Sequence, residues 1–162
     1  MKTSSLSRVI LVFWMACSVV APVFSQASSV GASPDYGDQS SSTLTTKAWD
    51  ALGAKNYALV DAYTNRCIEL YASQAAQMQG QLTAPASAET AFEYWALNDV
   101  GTCYFIRGQA LEAQGKDAEA VAAYKTLIAK YKFAQTWDTK GWFWQPASAA
   151  KQRLQVLEFA AL

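Results

Sequence analysis

The 162-residue chain contains no histidine, and that one absence removes the commonest general base and the commonest metal ligand. Histidine-dependent catalytic triads and histidine-containing zinc sites are excluded with it. Cysteine is scarce: Cys17, Cys67 and Cys103 are the only three, too few and too widely spaced for a paired-cysteine zinc or redox motif. No glycine-rich phosphate loop occurs either, because Gly101, Gly108 and Gly115 recur at intervals of seven, which is helical spacing. Net charge is missing too. With 13 basic against 13 acidic residues, nothing steers the chain toward nucleic acid or anionic lipid. No cofactor, metal or nucleic acid is therefore expected. The route to hydrolysis still open is a pair of carboxylates. Glu89 and Glu93 share a helical face with Asp99 nearby, and all three are expected on a solvated face, where charged helical residues mostly stand.

What is present begins with an export signal. Basic Lys2 and Arg8 precede the apolar run from Val9 to Ala16, and small residues follow, the three-part design of a secretory leader. Pro22, Ser25 and Ala27 favour cleavage after Ser25 or Ala27. A permanent anchor needs roughly 20 uninterrupted apolar residues, which the leader lacks. A lipidated Cys17 is the competing reading, and it fits poorly because Trp14 and Met15 stand where small or aliphatic residues belong. The rest of the chain is expected in the periplasm or outside the cell, with no stable membrane insertion. Residues 26–42, rich in serine, glycine and aspartate, bury too little apolar surface to offset their ordering entropy and read as a flexible tether.

From residue 43 to residue 160 one domain is expected, and its only periodic signal is helical. Five helices are placed by their breakers: about 43–54, 57–79, 87–114, 118–132 and 146–160. Gly115 suits the left-handed residue that ends the third, Asp117 suits the cap of the fourth, and Pro146 suits the first turn of the fifth. An internal repeat is legible. Val60, Tyr63, Thr64, Cys67, Ile68 and Tyr71 are matched, at a constant offset of 60, by Ala120, Ala123, Tyr124, Leu127, Ile128 and Tyr131. Both sets follow the i, i+3, i+4, i+7 spacing of one apolar helix face.

The run Tyr104, Gly108, Leu111, Gly115, Ala120, Tyr124 and Leu127 resembles the tetratricopeptide repeat, a 34-residue helical hairpin with small and apolar residues at set positions. Leu44, Ala48, Ala51, Tyr57, Val60, Thr64 and Cys67 form a looser first copy. The proline expected late in each unit is replaced by Ala72 and Lys132. The long period is attributed to extra helical turns between residues 72 and 99. The resemblance implies an all-α, right-handed stack of two antiparallel hairpins with residues 146–160 as a capping helix. It also implies a concave groove for a protein or peptide, facing Trp49 on the first hairpin and Thr102, Phe105, Gln109 and Glu112 on the second. Gln109 and Thr102 would bond a peptide backbone, and Trp49 and Phe105 would supply apolar contact. Two repeats make a small groove, so self-association or a larger complex would add binding surface.

Two features stay open on the residues alone. In an exported chain Cys67 and Cys103 either pair across the two longest helices or lie buried as free thiols; their expected positions make a bridge feasible without requiring it. The crowd of Trp137, Trp142, Phe143 and Trp144 around Gly141 either stacks on a sugar or peptide or plugs the groove beside the fifth helix. The functional expectation is an exported, non-catalytic protein- or peptide-binding scaffold. A carbohydrate-binding or carbohydrate-active envelope protein is the alternative.

Overall fold

A computed structural model describes residues 33–160; the expected export signal and residues 26–32 of the expected tether lie outside the described residues. The first helix, α1 (Ser41–Gly53), is started by Ser40, whose hydroxyl accepts from the Thr43 amide at 3.2 Å, as an N-cap serine does. Its buried stripe of Leu44, Ala48 and Ala51 follows helical spacing. A turn at 54–56 leads into α2 (Tyr57–Gly80), capped by Asn56, whose side chain accepts from the Leu59 amide at 3.2 Å. α2 buries Val60, Tyr63, Thr64 and Cys67.

The third helix was expected from residue 87. It begins eight residues later, as α3 (Trp95–Ala113), after a single 3-10 turn (Ala91–Tyr94). The cause is local bonding. Thr90 and Glu93 donate their amides three residues back, to the Ser87 and Thr90 carbonyls, and Asn98 Nδ2 donates to the Ala91 carbonyl at 2.8 Å. α3 is buried on nearly every side and touches α1, α2 and the two helices that follow it.

Gly115, at φ +70°, ends this arm, where a left-handed residue is cheapest for glycine. α4 (Asp117–Lys130) follows, and here the capping expectation is corrected: Asp117 is the first helical residue and Lys116 holds the cap position without a side-chain bond. Asp117 and Glu119 instead place negative charge in the first turn, against the helix dipole. The two stretches related by the offset of 60 are both helical and bury matching positions: Val60 and Ala120, Tyr63 and Ala123, Thr64 and Tyr124, Cys67 and Leu127. Two glycines of α3 leave no room for a side chain. A Cβ built at Gly108 would lie 2.2 Å from the Tyr124 ring, and one at Gly101 would lie 2.4 Å from the Ala134 methyl.

Two further expectations change. The stretch at 136–144, expected as a loop, forms a short antiparallel hairpin of β1 (Thr136–Asp138) and β2 (Trp142–Trp144), before α5 (Pro146–Ala160). Gly141, at φ +104°, closes the turn by donating its amide to the Asp138 carbonyl at 2.9 Å. The described part of the expected tether also folds back on the helices. Tyr36 meets Tyr63 edge to face at 5.9 Å, Arg66 grips the Gln39 amide oxygen at 2.7 and 2.8 Å, and Ser41 and Ser42 belong to α1. With the Lys47–Asp35 ion pair and the bond from the Tyr71 hydroxyl to the Gln39 carbonyl, these contacts offset ordering entropy that low apolar content alone leaves uncompensated.

Candidate functional site

The strongest candidate is a cleft of about 490 Å³ between α1, the start of α3 and the hairpin. Trp49 of α1 stands on one side. On the other, Phe92, Trp137 and Phe143 pack into a ring cluster with centroids 5.0 to 6.1 Å apart. The hairpin register pairs Trp137 with Phe143, and directly opposed residues share one face of a two-stranded sheet. Phe92 and Trp137 keep 63% and 48% of their surface exposed, an amount of aromatic surface that folding itself does not use.

The floor of the cleft is polar. Asn98 ties together the two segments of the aromatic wall: its amide nitrogen bonds the Ala91 carbonyl in the 3-10 turn, and its oxygen accepts from the Gln135 amide at 2.8 Å, ahead of the hairpin. Thr102 pairs with the Thr136 hydroxyl at 2.5 Å and donates to the Asn98 carbonyl at 2.7 Å. Asp99 lines the cleft, and Ser41 donates its hydroxyl to one carboxylate oxygen. Burial pushes the Asp99 carboxyl above its ordinary range, and the Ser41 bond offsets this only in part. The expectation of a solvated Asp99 is therefore corrected, whereas Glu89 and Glu93 are exposed as expected.

The residues expected to face a groove divide. Trp49 lines the cleft. Thr102 is 1% exposed with its hydroxyl engaged inside the protein, so it cannot serve a peptide backbone without breaking those bonds. Phe105, 7% exposed, packs against Trp49, Tyr124 and Trp144 and belongs to the core. Gln109 and Glu112 lie away from the cleft, in a separate depression beside Arg153. There Glu112 is paired with Arg153 and accepts from the Tyr124 hydroxyl. Burial pushes Glu112 up, but the bonds from Arg153 and Tyr124 hold its carboxyl below the usual range.

The crowd of tryptophans left open between ligand and core is divided by strand alternation. Trp137 joins the cleft, Trp142 is half exposed on the opposite face of the hairpin, and Trp144 packs on Phe105 with ring centroids 5.2 Å apart. Phe92, Trp95, Asn98 and Asp99 were not singled out as groove residues. Their role depends on the hairpin folding against them, and no local pattern signals that.

Cys67 and Cys103 stand as buried free thiols. Both approach the Thr45 hydroxyl, at 4.0 and 3.4 Å. Burial, then the neighbouring Cys67, pushes the Cys103 thiol well above its ordinary range. Iodoacetamide is expected to leave both thiols unmodified in the folded protein and to alkylate both, without reductant, in guanidinium. Failure of the unfolded chain to react without reductant would show them bridged.

Among the described residues no group of three or more acidic or cysteine side chains is placed to hold a metal ion, and no helix is long and apolar enough to cross a membrane. Compared with protein-family models, curated proteins and solved structures, the chain matches none.

Proposed function

We propose that the chain is an exported, non-catalytic scaffold of the tetratricopeptide-repeat type that binds a protein or peptide in the cleft between Trp49 and the ring cluster of Phe92, Trp137 and Phe143. The repeat reading is supported by two helical hairpins in sequence, α1 with α2 and α3 with α4, whose second arms bury matching positions. Close approach at Gly108, where such repeats carry a small residue, is a second support. The observation that carries the binding reading is the cleft itself. Exposed aromatic side chains around a concave surface are a recurrent mark of recognition sites.

A second reading has its own observation. Rings beside Asn98, Asp99 and Gln135 are also the chemistry that holds a sugar, by stacking and hydrogen bonding. One titration separates the two. Tryptophan emission is followed while defined pentapeptides, and separately cell-wall glycan fragments, are added to wild-type protein and to Trp49→Ala. Peptides are expected to shift the emission, less in the variant, and glycans to leave it flat. A glycan response with flat peptide curves would transfer the cleft to the carbohydrate reading.

A further inference from the structure

Resting on the reading of this cleft as a peptide site, we infer that it holds a cationic side chain of the bound peptide, lysine or arginine, with Asp99 as counter-ion and the surrounding rings as walls. Asp99 is the only charged residue that lines the cleft. The ion pairs among the described residues are Lys47 with Asp35, Arg66 with Glu69, Lys125 with Glu158 and Arg153 with Glu112, and Asp99 takes part in none. Among the described residues its partner is a single neutral hydroxyl, from Ser41, on one of its two oxygens.

A partly buried carboxylate without a cation is costly to the fold, because its removal from water is not repaid. Exposed surface positions would carry an acid at no such cost. A ligand cation supplies the missing charge. The walls favour the same occupant: Trp49, Trp95, Phe92 and Trp137 border the cleft, and the faces of aromatic rings attract lysine and arginine. An apolar side chain would bury the open carboxylate oxygen without a partner, and an acidic one would add repulsion.

The test uses the chain with its full described domain and acetyl-Ala-Ala-X-Ala-Ala-amide peptides, where X is arginine, lysine, norleucine or glutamate, together with free methylguanidinium. Titrations are read by calorimetry and tryptophan emission. The arginine or lysine peptide is expected to bind about tenfold or more tighter than the norleucine peptide, with glutamate weakest. Asp99→Asn should bring the cationic and norleucine peptides within about threefold of each other. Trp137→Ala should weaken all of them. Added salt should weaken the arginine peptide and spare the norleucine peptide in the wild-type chain, which tests the charge pair without any variant. Equal binding of norleucine and arginine, or an arginine peptide insensitive to both Asp99→Asn and salt, would overturn the inference and leave the peptide site standing. Binding of no peptide, whether or not methylguanidinium binds, would overturn the peptide reading beneath it.

Discussion

Asn98→Ala is expected to lower the unfolding free energy by about 1–3 kcal/mol and to dismantle one wall of the cleft, since a buried backbone group left without a partner costs about that much. The Ala91 carbonyl, inside the 3-10 turn, takes an additional bond from this one side chain, and the Gln135 amide depends on it, each 2.8 Å away. Asn98 is itself buried, so water does not replace it freely. The first bond closes the 3-10 turn that carries Phe92, and the second ties down the approach to the hairpin that carries Trp137. A urea melt would show a lower midpoint at unchanged slope, and tryptophan emission at low urea would move to the red as Trp137 leaves its neighbours. Asn98→Asp should be at least as damaging. It keeps the acceptor for Gln135, loses the donor to Ala91 and adds a second carboxylate beside Asp99. A melt unchanged by Asn98→Ala would mean that the walls stand without this link.

Gly108 gives the second large effect. A Cβ at this position would sit 2.2, 2.5 and 2.7 Å from three carbons of the Tyr124 ring, well inside van der Waals contact. Tyr124 has little room to retreat, being fully buried and bonded through its hydroxyl to Glu112. Gly108→Ala should therefore cost about 1–3 kcal/mol in spite of the helix propensity it gains, which is about 1 kcal/mol. Gly108→Leu should prevent folding. Coupling identifies the cause: Tyr124→Ala alone should cost about 3–5 kcal/mol, and adding Gly108→Ala in that background should cost nothing or stabilise. Additive losses would assign the effect of Gly108 to something other than this contact.

Much of the helical layout is legible from local signals. Asn56 before Tyr57 and Gly115 after α3 are short-range devices, and α2 and α4 announce their buried faces by spacing alone. The sequence places the start of α3 near residue 87 because residues 87–94 are helix-compatible one by one. What turns them away is a bond to Asn98, seven residues downstream of Ala91. The hairpin was missed for a related reason: three-residue strands are too short to show an alternating pattern.

The candidate site was less legible than the fold. Trp49 was placed in the groove on the strength of a repeat pattern, and it does line the cleft. Thr102 was placed there by the same pattern, yet its hydroxyl is taken by Thr136, 34 residues away. Asp99 looked like an ordinary solvated acid, because nothing adjacent in the chain reveals enclosure. Helical periodicity, caps and breakers act over a few residues, so composition and spacing alone indicated that residues 43–160 would be built mainly of helices with paired apolar faces. Which rings meet, which carboxylate is enclosed and which hydroxyl is already engaged depend on segments tens of residues apart. Those contacts exist only once α1, α3 and the hairpin have closed on one another.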